Sequence, residues 1–184
     1  MARKQALRDL QTRLAERLLA ARTQPRGRAW LAVECAAHGF LIPLQDAGEL
    51  FNAVSLVALP YTKPWCLGVA NLRGQLHAVA DLAAFLGLRS TLPAAAAREP
   101  AQLLAFNPNL CINAALLVDR LAGLRNEARM TLLQPAALPA DKQGDALRRP
   151  AFAGARLRDA EGRVWQELDL AALARHDAFL RIGL

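Results

Sequence analysis

The stretch Leu67 to Leu88, LGVANLRGQLHAVADLAAFLGL, decides how the rest of the chain is read. Asn71-Leu72-Arg73-Gly74 fits a type I turn, with an amide side chain able to bond the backbone two residues on and Gly at the fourth position. After the turn, Leu76, Ala78, Ala80 and Leu82 alternate with Gln75, His77, Val79 and Asp81. That period of two predicts a strand with the first set inward and His77 on the polar, surface side. Asp81 is a good N-cap for a short helix over Leu82 to Leu86, and Gly87 supplies the left-handed exit. Arg73 has no comparable structural task, because a type I turn accepts most residues at its third position.

A second copy of this unit follows 88 residues downstream. Asp159-Ala160-Glu161-Gly162 repeats the turn, Arg163 to Leu168 the strand, and Asp169-Leu170-Ala171-Ala172-Leu173 aligns with Asp81-Leu82-Ala83-Ala84-Phe85 without a gap. Two related lobes are therefore expected. Where the first copy has Arg73 the second has Glu161, so the fold does not dictate that charge.

With 54% hydrophobic residues among 184 the chain is long enough and apolar enough to fold. Aromatics make up only 5%, so the core must be built mainly of Leu, Val and Ala. No secretory signal is expected, since Arg3, Lys4, Arg8 and Asp9 interrupt the start. The longest uncharged run, the 19 residues Pro100 to Val118, is broken by Asn107-Pro108-Asn109 and reads as two buried strands around a turn, Leu103 to Phe106 and Leu110 to Val118. Cys35, Cys66 and Cys111 are odd in number and form no CxxC pair, as expected of reduced cytoplasmic thiols. The net charge of +7 raises nucleic acid as a partner, so a basic β-barrel that binds nucleic acid is the alternative reading. It is disfavoured because basic and acidic residues are interleaved and Tyr61 is the sole tyrosine for base stacking.

Taken in order, Arg3 to Arg22 predicts an amphipathic helix with Leu7, Leu10, Leu14 and Leu18 on one face. Those leucines either pack on the body or are reserved for a partner or an acidic membrane surface. Short strands run from Trp30 to Leu59. Pro60 and Pro64 enforce an extended approach to the central hairpin, with Trp65 plugging a lobe. Ser90 to Pro100 reads as a linker and Pro135 to Pro150 as a loop. The expected organisation is an N-terminal helix over 1–24 and a body over 28–178, whose lobes cover about 28–90 and 101–178 and are allowed to interleave. The fold class is mainly β, two small barrels with short helices.

No catalytic constellation stands out. GxxxxGK[ST], HExxH and GxSxG are absent, and His38, His77 and His176 are widely spaced. Cys66 and His77 lack a third group to orient the base. The chain reads as a non-enzyme with no metal, cofactor or small-molecule substrate.

GVANLRGQLHAVADLAAFLGL resembles the central signature of the CheW-like adaptor domain of bacterial chemosensory arrays, in which a Gly-Val-x-Asn-Leu-Arg-Gly turn leads into a strand and an Asp-Leu helix start. The flanks agree: Gly39 to Leu44 resembles the family's early strand, Ala47-Gly48-Glu49-Leu50 its Val-x-Glu-Ile segment, and Leu117-Val118-Asp119-Arg120-Leu121 its later Val-Asp strand. Leu59-Pro60 and Pro64-Trp65 resemble the approach to the signature. The likeness covers Trp30 to Leu173 and departs at Ala47, for Val, and at His77-Ala78-Val79-Ala80, for a more apolar run. It implies two SH3-like five-stranded β-barrel lobes and a cytoplasmic, non-catalytic scaffold that couples a chemoreceptor's cytoplasmic tip to the regulatory domain of a CheA-type histidine kinase. Contact with the membrane would then be indirect, through the receptors. It also implies that Gly68, Asn71, Leu72, Arg73 and Gly74 form the signature turn, and that Arg73, Glu49 and Ala47 stand at partner-binding positions. The basic, leucine-rich N-terminus resembles the adaptor of the type IV pilus, or twitching-motility, system more than the flagellar one.

Overall fold

The computed structural model describes residues 27–52, 54–90, 101–133 and 150–184. The helix expected over 1–24, and nearly all of the Ser90 to Pro100 linker and the Pro135 to Pro150 loop, lie outside the described residues.

The described strands are β1 (Ala29–Cys35), β2 (His38–Pro43), β3 (Ala47–Asn52), β4 (Cys66–Leu72), β5 (Gln75–Asp81), β6 (Gln102–Phe106), β7 (Ala114–Val118), β8 (Arg120–Asn126), β9 (Thr131–Leu132), β10 (Ala153–Arg158) and β11 (Val164–Leu168). Three one-turn helices accompany them, α1 (Leu82–Phe85), α2 (Leu170–Leu173) and α3 (Asp177–Leu180). The expected strand from Leu110 begins only at Ala114, because Asn107 caps a 3-10 turn over Pro108–Leu110 and Cys111 leaves it in a left-handed conformation.

Lobe A is the sheet β8-β1-β2-β11-β10-β9, and lobe B is β3-β6-β7-β5-β4. The sheets do not follow the two contiguous halves of the chain. β1 and β2 join β8 to β11, whereas β6 and β7 join β3 to β5, so each half lends two strands to the other half's sheet. The pairings correspond: β2 meets β11 in parallel, β7 meets β5 in parallel, and an antiparallel neighbour flanks each. In lobe B the chain beyond β3 crosses to the opposite edge, where Val57 bridges Val69 of β4. In lobe A β8 bends through a 3-10 turn, Glu127–Arg129, into β9, which pairs β10. The last strand of each sheet thus joins its two edges, which gives two small SH3-like lobes.

Three apolar clusters explain why the strands read as continuous hydrophobic runs. One fills lobe B, with Leu72, Val79, Leu103 and Leu117; another fills lobe A, with Trp30, Leu41, Leu157 and Trp165. The third lies in the seam between the lobes and takes Leu31, Val33, Phe40, Ile42, Leu104, Leu116 and Val118. Neighbouring residues such as Leu116 and Leu117 therefore point one into the seam and one into a barrel, and both strand faces are buried. Trp65, expected inside a lobe, instead stacks on Phe179 of α3, which in turn stacks on Phe106.

The two hairpin-and-helix units match closely. Asp81 Oδ1 accepts from the N–H of Ala84 at 3.2 Å and Asp169 Oδ1 from that of Ala172 at 2.8 Å, each capping its helix. The Asp81 N–H donates to Trp65 O at 2.8 Å and the Asp169 N–H to Phe152 O at 2.9 Å. Cys66 pairs Ala80 as Ala153 pairs Leu168, and a register shift follows each pair.

Candidate functional site

The β4–β5 turn is not the expected type I turn. Leu72 pairs Gln75, which leaves a two-residue loop, and Arg73 and Gly74 have φ of +51° and +84°. That is a type I′ turn, the hairpin connection whose twist suits the flanking strands and whose first central position favours Asn, Asp or Gly. A left-handed Arg costs local backbone energy, so Arg73 sits where the turn itself would choose another residue. Asn71 Oδ1 accepts from the Gly74 N–H at 2.7 Å and holds the tip from below.

Facing the tip is β3. Its Glu49 carboxylate forms an ion pair with Arg73, with side-chain exposures of 44% and 75%. Two of the expected partner-binding residues, separate in sequence, thus meet on the surface of lobe B as a guanidinium and a carboxylate that both remain open to solvent. An exposed pair of this kind adds about 0–1 kcal/mol to stability. It can exchange for a charged partner at little cost.

The other expected site residues fall elsewhere. Leu72 is buried in lobe B and Ala47 in the seam cluster, opposite Phe106 of β6. Gly68 has φ +124°, and a Cβ there would stand 2.2 Å from the carbonyl oxygen of Val57, the residue that joins the sheet edges. Gly68 makes room for that bridge. Gly74 completes the turn with open space around it. The seven residues therefore divide into an exposed pair, Arg73 and Glu49, two that shape the tip, Asn71 and Gly74, and three that build the lobe beneath.

The face assigned to β5 needs correction. Leu76 is 65% exposed, whereas His77 is buried at 9% and Val79 wholly buried. The alternation is real, but its phase is opposite at the strand's start: His77 and Val79 point inward while Leu76 stands outside near the tip. Neither the type I geometry nor His77 as a surface residue survives.

The second tip differs from the first. Asp159 and Arg163 bracket a three-residue loop, in which the Gly162 N–H donates to Asp159 O at 3.1 Å and Gly162 takes φ +86°, a type I turn followed by a bulge. Asp159 accepts from the Arg163 N–H at 2.8 Å and from Trp165 Nε1 at 2.7 Å. Burial opposes ionisation of Asp159, but these bonds and the nearby Arg125 charge outweigh it and hold the carboxyl below its ordinary value. Arg163 pairs with Glu34 and lies 4.5 Å from the centre of the Trp165 ring. Asp159 and Arg163 are thus held within lobe A, while Glu161 stands exposed in the loop.

Comparison with known proteins adds the decisive observation: the family model described as the CheW-like domain matches residues 29–178. The chain belongs to the CheW-like domain family. Its sequence is 27% identical over 172 residues to Protein PilI of Pseudomonas aeruginosa, with 94% of this chain and 89% of that protein covered. This CheW-like chain is thereby related to the PilI-type branch. Its fold is similar to the crystal structure of the scaffolding protein TtCheW from Thermoanaerobacter tengcongensis, with a TM-score of 0.60, 17% identity, and 77% of this chain and 88% of that one covered.

Among the described residues no group of His, Cys, Asp and Glu could hold a metal ion. Nor is any helix there long and apolar enough to cross a membrane. The described residues hold 12 Lys and Arg against 11 Asp and Glu, compared with 23 and 16 in the whole chain. Sequence reasoning missed Arg89. Its partner Asp81 is wholly buried, yet falls in the outward set of the sequence alternation, so that pattern carries no signal for a cation there.

Proposed function

We propose that this chain is a non-catalytic adaptor of a chemosensory array, joining the cytoplasmic tip of a chemoreceptor to the regulatory domain of a CheA-type histidine kinase in the cytoplasm. The observation that carries the reading is the match of the CheW-like domain across both lobes, 29–178. Two barrels packed together through a buried seam present two separate outer faces, which is what simultaneous binding of two partners needs. The exposed Arg73–Glu49 pair provides charged chemistry at one of them. Arg is a frequent interface hot spot because its planar fork bonds a carboxylate in two places. Relatedness to Protein PilI supports a place in the type IV pilus, twitching-motility, pathway.

Co-purification of the tagged chain from its native cells is the test. A receptor and a CheA-type kinase should come down together, and loss of the gene product should impair twitching. Recovery of neither partner, or tight RNA binding that persists at physiological salt, would favour the basic-barrel reading instead.

A further inference from the structure

One ionic cluster links the lobes. The Asp81 side chain is wholly buried, and beyond its cap bond it accepts from Arg89 twice, Nη2 to Oδ1 at 2.9 Å and Nε to Oδ2 at 3.1 Å. Arg89 Nη1 donates to Asp119 Oδ1 at 2.6 Å. Asp119 is held in turn on lobe A: its Oδ2 accepts from the Ala36 N–H at 2.7 Å, and its own N–H donates to Glu34 O at 2.9 Å. Ala36 and Ala37 form the β1–β2 tip with φ of +48° and +64°, so the bond from the Ala36 N–H to Asp119 steadies a turn that L-residues resist. One guanidinium, using all three of its nitrogens, thus ties the α1 cap of lobe B to a hairpin tip of lobe A.

The internal duplication shows that the fold does not require this arrangement. Asp46 precedes β3 as Asp119 precedes β8, and Asp169 caps α2 as Asp81 caps α1. The residue corresponding to Arg89, 88 positions on, is Asp177, whose side chain is 81% exposed and pairs with Arg181. No arginine among the described residues joins Asp46 to Asp169. Burial, followed by the charges of Asp169 and Glu167, raises the Asp46 pKa.

We propose that Arg89 is a positioning residue that fixes the angle between the two lobes, and through β5, whose far end carries the Arg73 tip, couples that tip to the β1–β2 tip of lobe A. The mechanical part stands on these contacts alone. Its consequence for bridging two partners rests on the adaptor reading.

The test uses the full chain without partners. Amide exchange is followed at Ala36 and Ala84, the two N–H groups that the clasped carboxylates accept, and at core strand amides of each lobe. Nitroxides on the exposed Cys111 of lobe B and on an Arg158→Cys variant of lobe A report the inter-lobe distance. Arg89→Met should speed exchange at Ala36 and Ala84 by about tenfold or more, leave the core amides within about threefold, and broaden the distance distribution. Arg89→Lys, with one ammonium for two carboxylates, should restore protection at one of the two amides. Uniform acceleration of all amides, or an unchanged distance distribution, would overturn the proposal. If Arg89→Met does not fold, Asp119→Asn keeps an acceptor for Ala36 but removes the charge facing Arg89. It should still broaden the distribution, and a distribution as narrow as the parent's overturns the proposal. Because no partner enters, failure here leaves the adaptor reading standing, and failure of the co-purification leaves the clasp standing.

Discussion

The β4–β5 and β10–β11 hairpins share strand pairing, register shift and helix cap, yet their tips behave as opposites. At the second tip Asp159, Arg163 and Trp165 bond to one another and to Glu34. At the first tip Arg73 is left-handed and exposed, and among the described residues its ion pair is with Glu49. The common part of the two units is what the fold needs. Where they differ, the second binds Asp159 and Arg163 within its lobe and the first holds Arg73 out.

The largest expected effect separates the two helix caps. Asp81→Ala removes a cap and leaves Arg89 without its buried carboxylate, and should cost about 3 kcal/mol or more. Asp169→Ala removes a cap alone and should cost about 1 kcal/mol. Equal losses by denaturant titration would mean that the buried Arg89 bonds add nothing to one copy.

Next in size is Gly68. Its counterpart in the second hairpin, 87 positions on, is Ala155, which carries a Cβ without harm. Gly68→Ala places a Cβ against the Val57 carbonyl at positive φ and should cost about 3 kcal/mol or slightly less. A neutral Gly68→Ala would show that the edge-joining bridge is not tight.

The tips should also part in acid. Asp159 has a lowered folded pKa, so its contribution to stability is complete above the ordinary value of 3.8 and is lost as pH falls through the folded value. Asn71, aligned with Asp159 in the sequence repeat, bonds the first tip through an amide that does not titrate. Amide exchange near Arg163 should therefore accelerate on acidification below pH 3.8 while exchange at Gly74 follows only the intrinsic rate. Asp159→Asn should remove the difference.

Much of this was legible in the sequence. Asn71-Leu72-Arg73-Gly74, Asp81 and the repeat at Asp159 to Leu173 are local signals, and local signals located the hairpins, the caps and the duplication. The turn type was not legible, because an Asn at the first position suits a type I turn while strand twist imposes type I′ on a two-residue loop. The phase of β5 failed for a different reason: Ala78 and Ala80 are small enough for either face, and the seam buries faces that a lone sheet would expose. Strand exchange between the halves and the Arg89–Asp119 bond depend on residues 30 or more positions apart, which periodicity cannot see. The exposed pair was found only in part, since Glu49 and Arg73 were each singled out but nothing in the sequence says that they touch.

Arg73 is proposed to serve a partner and not the fold. The most direct measurement compares thermal melting and co-assembly with receptor and kinase for Arg73→Ala, with Arg158→Ala, exposed on β10, as the charge-matched control. Arg163 would not serve, because it is bound to Glu34 and Trp165. Arg73→Ala should melt within about 0.5 kcal/mol of the parent while assembly weakens roughly tenfold or more, and Arg158→Ala should leave both near the parent values. Loss of folding on Arg73→Ala, or equal assembly by the two variants, would contradict the claim.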